Sequence, residues 1–200
     1  MALTAFAIHD IAETVLGCVC AALEDAAATV EDQPGCPCRA CVVPGPPAWD
    51  GCNDPCSTDG AGGQLTVHVA RTYATAAFPM DDRGQSGRVL FGGRNCQPPA
   101  ATAVELVVTL LRCAPMMDER GCPPSCEEMA AAARTVHVDA ATIYNALVCC
   151  LPETGTRRRG PVFMLGDQRV LEPAGGCMGV EQRVTVALRN CGCPTDEEAS

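Results

Sequence analysis

The chain has 200 residues with 14 basic and 24 acidic side chains, a formal net charge of -10; such a balance repels phosphate backbones and disfavours a DNA-gripping module. Leu, Ile, Val and Phe together number only 39, and the 48% hydrophobic total rests on 30 Ala and 16 Cys, which bury little area each. The length suits one domain, and the thin core stock implies that burial is completed by partners or cross-links.

All 14 basic residues are Arg, which with abundant Ala, Gly and Pro bears the imprint of a GC-rich genome. The first positive charge is Arg39, so the start lacks the basic region of a signal peptide. Thr14 to Leu23, the longest early uncharged run, is well short of the roughly 20 residues needed to span a bilayer.

From Thr4 to about Val30, Ile8, Ile11, Val15, Cys18 or Val19 and Ala22 recur at helical steps, and His9, Asp10, Glu13, Glu24 and Asp25 lie off that stripe. The spacing predicts an amphipathic helix with an acidic face. Residues 31–63 form a Cys- and Pro-rich segment in which only Ala40 to Val43 has strand character. Leu65 to Tyr73 alternates, placing Leu65, Val67, Val69 and Tyr73 on one side and Thr66, His68 and Thr72 on the other, as a half-exposed strand would. Thr102 to Cys113 is apolar on both sides and is expected at the sheet centre. Between these strands, residues 74–101 carry several Gly and Pro and read as a long docking arm, with Phe78, Met80, Leu90 and Phe91 as its apolar contacts.

Ser125 followed by Glu128 is a capping box. Behind it Met129, Ala133, Val136, Ala140, Ile143, Leu147 and Cys150 step by four and three until Pro152, predicting a helix long enough to brace a whole sheet. Val162 to Leu165 and Arg169 to Leu171 flank Gly166-Asp167, read as a tight hairpin turn. Val180 to Arg189 alternates as a closing strand, with Val184, Val186 and Leu188 inward, and residues 194–200 form an acidic tail. The expectation is a single α+β domain over residues 1–193: a mostly antiparallel sheet braced by two amphipathic helices, with a long inter-strand loop.

The cysteines are the densest chemistry. Cys38-x-x-Cys41 followed by Cys52-x-x-x-Cys56 has thiolate spacing that a tetrahedral zinc site could use, but Cys36 is left over and no zinc knuckles are evident. Disulfides are the preferred reading of this loop and buried thiols a further one. Cys18 and Cys20, two apart on a helix, cannot face one another, and Cys149 and Cys150 read as core packing. His9, His68 and His137 lack any metal-binding spacing and read as surface or satisfied histidines. Gly84-Gln85-Ser86-Gly87 lacks the register of a nucleophile elbow. Gly60 to Gly63 and Gly175 to Gly179 match no phosphate-binding loop and read as turns before strands. Arg157-Arg158-Arg159 reads as a solvated face. No catalytic, cofactor-binding or metal-ligating residue is assigned, and no cofactor is expected.

Gln64 to Tyr73 before Phe78-Pro79, Val104 to Leu111 followed by Arg112-Cys113-Ala114-Pro115, and Gly175 to Val180 leading into the last strand resemble head-to-tail junction proteins of long-tailed actinobacterial phages, nearest the tail terminator type. The likeness covers roughly residues 36 to 193. It implies an α/β protomer in a six-membered ring that caps the tail tube and meets the head connector, with DNA passing through unread. The Cys load departs from that pattern. The expected protein is thus a virion structural component of the neck, assembled in the bacterial host cytoplasm and not an enzyme, partnered by its own copies, the tail tube and a head-closure or connector protein. The alternatives are another neck ring, adaptor or stopper, and a Cys-rich zinc-binding interaction module.

Overall fold

The computed structural model describes residues 6–47, 62–75, 77–81, 101–151, 162–174 and 176–188. The elements in chain order are α1 (Ala7–Thr29), β1 (Arg39–Val42), β2 (Gln64–Thr75), β3 (Ala101–Cys113), α2 (Cys126–Cys150), β4 (Val162–Ala174) and β5 (Cys177–Leu188). The strands form one sheet in the order β1-β2-β3-β5-β4. Every pairing is antiparallel except the short β1 against β2. The chain is therefore α+β, with β3 at the sheet centre as its two-sided apolar sequence requires. The middle of the 74–101 arm, residues 82–100, lies outside the described residues, as do the Arg157 to Arg159 run and the 194–200 tail.

Both helices pack on one face of the sheet. Ala12, Val15, Val19 and Leu23 of α1 and Val136, Ile143, Ala146 and Leu147 of α2 meet Leu65, Val67, Val104, Leu106, Val108, Leu110, Val180, Val184 and Val186. The acidic positions of α1 stay exposed, as the stripe predicts. At α2 the capping box is complete: Glu128 N–H donates to Ser125 Oγ at 3.2 Å, and Ser125 N–H donates to the Glu128 carboxylate at 2.7 Å. The stripe is only partly used, however. Residues from Cys126 to Arg134 are almost wholly exposed, Met129 included, and burial begins at Val136. The helix outruns the sheet that it braces.

Two expectations about the strands are corrected, both by β-bulges. In β2 the register shifts between Val69, opposite Leu106, and Arg71, opposite Glu105, so Ala70 is an extra residue. An odd insertion reverses the two-residue alternation beyond it. Tyr73 therefore lies with Arg71 on the face away from the helices, and Thr72 lies on the helix side. Before the bulge the strand is not half-exposed: Thr66 and His68, on the face away from the helices, are 1% and 5% exposed. In the second case, Val162 to Leu165 and Arg169 to Leu171 are not two strands of a hairpin. They belong to the single strand β4, and Gly166-Asp167 is a bulge between Leu165, opposite Val184, and Gln168, opposite Gln182. The long β5 offers continuous pairing, and the glycine fits where a Cβ would lie 3.1 Å from the Arg183 Cβ. The real turn joins Ala174 to Cys177, with Gly176 at φ +79°.

Cross-links and one buried ion pair tie the layers together. Cys18 of α1 is bonded to Cys150 at the end of α2, and Cys20 to Cys36 beyond α1, with Cα separations of 5.8 and 5.0 Å. Cys18 and Cys20 thus turn to different partners, as their spacing demands, and Cys150 is a cross-link where simple core packing was expected. Arg112, at the end of β3, holds Asp139 of α2 through Nε at 2.9 Å and Nη2 at 3.0 Å. It also donates to the carbonyls of Pro34 and Gly35, while Gln33 donates to Asp139 at 2.8 Å.

Candidate functional site: a charged groove opposite the helices

The two bulges decide which side chains reach the helix-free face. Without the extra residue in β2, Arg71 would point toward the helix layer; without the one in β4, Arg169 would do the same. The β4 shift simultaneously turns Gln168 toward α2, where it donates to the Ala140 carbonyl at 2.8 Å. Arg71 and Arg169 thereby join Arg183 of β5 around Glu105 and Glu181, which the alternation of β3 and β5 already places on that face. The result is a groove of about 430 Å³ lined by these five residues together with Tyr73, Pro79, Met164, Gly166, Asp167 and Thr185.

Its charges are compensated in pairs. Glu105 accepts from Arg71 Nε through one oxygen and from Arg183 Nη1, at 2.8 Å, through the other. Arg71 also reaches Asp81 at 3.2 Å and stacks over the Tyr73 ring, 4.8 Å from its centroid. The Tyr73 hydroxyl donates to the Pro79 carbonyl at 2.8 Å, beside the cis Phe78-Pro79 peptide. Arg169 holds Glu181 at 2.9 Å, with Arg183 Nε at 3.6 Å. Burial by itself would raise the Glu105 carboxyl; the hydrogen bonds and charges of Arg71 and Arg183 together outweigh it and hold Glu105 below the usual carboxylate range. Burial raises the Tyr73 hydroxyl despite Arg71.

A carboxylate saturated by two guanidinium groups holds its position and does not shuttle protons. The exposed outer edges of Arg71, Arg169 and Arg183, with side-chain exposures of 45%, 60% and 42%, retain donor capacity toward a ligand or neighbouring chain. The chemistry available is recognition by paired charges on a fixed sheet. Deeper along the same face lie buried polar atoms without hydrogen-bond partners among the described residues, including His68 Nδ1 and Thr109 Oγ1. His68 is thus buried, with one nitrogen unpartnered among the described residues, unlike the surface residues His9 and His137. Burial lowers its pKa, with Glu181 opposing and Arg183 assisting.

The Cys-rich loop is only partly within the described residues. Cys36 is buried and engaged by Cys20, Cys38 is exposed and Cys41 lies on β1, while Cys52 and Cys56 fall outside. Among the described residues no group of three or more His, Cys, Asp or Glu could hold a metal, and no helix is long and apolar enough to cross a membrane. None of the groove residues was singled out by sequence reasoning as a site. The readable sign was the charged residues that interrupt the strands, Arg71, Glu105, Arg169, Glu181 and Arg183. No protein-family model matches the chain, and no curated protein matches it either.

Proposed function

We propose that this chain is a ring-forming structural protein of a phage neck, capping the tail tube and joining it to the head connector while DNA passes through the lumen. The observation that carries this reading is the edge strand β4. It is 13 residues long, pairs on one side only among the described residues, and exposes Val162, Met164 and Val170 at 48%, 42% and 60%. A long edge with exposed apolar side chains is a liability in a monomer and a natural contact in an assembly. The thin apolar stock supports burial completed between subunits, and the net charge of -10 supports a conduit that does not grip DNA. The strand segments that resemble tail terminators point to the same assembly.

Electron microscopy of the purified chain mixed with tail tubes tests the proposal: closed six-membered rings, free or seated at one end of the tubes, are expected. A protein that stays monomeric at high concentration and leaves tube ends bare would overturn it. Rings that seat on head connectors alone would move the assignment to an adaptor or stopper layer.

A zinc-binding interaction module remains the second reading, favoured by one observation. The Cys20–Cys36 bond removes the odd cysteine from the loop. Stoichiometric zinc in the purified protein would favour this module over the ring.

A further inference from the structure

We propose that β4 is a self-recognition strand, pairing antiparallel with β4 of a second copy of this chain so that two five-stranded sheets become one continuous sheet. Among the described residues β4 pairs on its β5 side only, and residues 166–170 are all exposed. Its sequence is its own complement. With Gln168 set opposite Gln168 of the second copy, the Gly166-Asp167 bulge faces Arg169, since a bulge puts two residues against one. Beyond it Leu165 meets Val170 and Met164 meets Leu171, each pair occurring twice by symmetry. The faces agree, as direct pairing demands. Leu165 packs on the helix side, and Val170, opposite the core residue Val180, shares it. Met164 lines the groove, and Leu171, two residues on from Arg169, lies on the same side of the sheet. This register covers Met164 and Val170, exposed at 42% and 60%, with apolar partners.

Charge fixes the register. Asp167 has no ion-pair partner among the described residues, and Arg169, held by Glu181 on one flank, keeps a side chain 60% exposed. In the pair each Asp167 meets Arg169 of the other copy, so two cross-strand ion pairs form. A slip of two residues, which preserves the faces, sets Arg169 against Arg169 or Asp167 against Asp167, and like charges directly opposed are destabilising. Pro173 lacks an N–H and ends the ladder just past Leu171. A bulge, charges and a proline guard an edge against strands at large; here the same features fit a second copy and turn others away. The two-fold axis stands perpendicular to the sheet, so both helix layers lie on one side and the two grooves adjoin on the other. Such a contact is isologous and closes on itself. It makes pairs independently of the neck reading, and a six-membered ring would consist of three such pairs joined through a second surface.

The test is sedimentation equilibrium of the whole chain, with its free thiols alkylated so that association is not covalent. A concentration-dependent dimer is expected. Asp167→Arg and Arg169→Asp should each weaken it about tenfold, since each turns both ion pairs into like-charge pairs. Mixed one to one, the two variants should associate as tightly as the wild type, because a strand carrying Asp167→Arg beside one carrying Arg169→Asp restores opposite charges at both positions. Asp167→Arg breaks no ion pair among the described residues, so it reports even if losing the Arg169–Glu181 contact unfolds the other variant. Amide exchange across residues 164–171 should slow as the wild type is concentrated. A chain monomeric at every concentration, a dimer indifferent to Asp167→Arg, or folded variants that do not recover on mixing would overturn the proposal. A dimer with the expected properties that never forms rings would uphold the pairing while overturning the neck reading.

Discussion

Arg112 and Asp139 form a two-pronged ion pair, 4% and 1% exposed, at the junction of β3, α2 and the segment that follows α1. Burial raises the Asp139 carboxyl, and Arg112 and Gln33 work against that rise. Removing one partner strands the other without solvent. Arg112→Met or Asp139→Asn should cost about 3–5 kcal/mol in urea unfolding, whereas replacing both by apolar residues of similar volume should recover much of the loss.

The cross-link from Cys18 to Cys150 spans a sequence separation of 132. Closing so long a loop restricts the unfolded chain. Cys18→Ser should lower stability by about 2–5 kcal/mol, and reductant should lower the wild-type urea midpoint while changing the variant's less.

Gly63 and Gly179 press against consecutive carbonyls of β3 from its two sides. A Cβ at Gly63 would lie 1.9 Å from the Leu111 oxygen, and one at Gly179 would lie 2.0 Å from the Leu110 oxygen. Backbone cannot give way as a side-chain tip can. Gly179→Ala should cost about 1–3 kcal/mol, and Gly63→Ala more, because its φ of +101° adds strain. Thermal melts of the two variants measure this ranking.

Acidification should act in two stages. The pKa of His68 is lowered in the folded protein, so the unfolded chain binds more protons and stability declines as pH falls through about 6.5. Glu105 is held low, so its contribution is present above its unfolded pKa and is lost below about 4.5 as pH falls through the folded value. His68→Leu should flatten the first stage and leave the second. Carbon-13 NMR titration should find the Glu105 carboxyl shifted upward in Arg183→Met. A pH 7-to-5.5 slope unchanged in His68→Leu would exclude His68 as its source.

Periodicity made both helices, the central strand and the α+β class legible, because each is written in neighbouring residues. The Ser125–Glu128 cap is local chemistry and was readable for the same reason. The groove was not, since one bulge residue in each of two strands decides whether Arg71 and Arg169 face the helices or turn away from them. Gly166-Asp167 did signal irregularity, but a turn and a bulge use the same residue types, and only the partner strand distinguishes them. The Arg112–Asp139 pair left a fainter trace: one Arg ending an apolar strand, and one Asp between Val136 and Ile143 inside an apolar stripe. Pairing them requires knowing that the end of β3 comes up against the middle of α2.

The Cys18–Cys150 bond also fixes how the molecule carries tension. A pull applied between residues before Cys18 and residues after Cys150 passes from sulfur to sulfur and skips everything between, including β1, β2, β3 and nearly all of α2. While the bond is intact, such a pull can lengthen only the two flanks. On the far flank lie β4 and β5, and resistance there comes from β5, which is paired to β4 on one side and at twelve positions to β3 on the other. Cutting that single covalent bond would transfer the load to the elements that it spans.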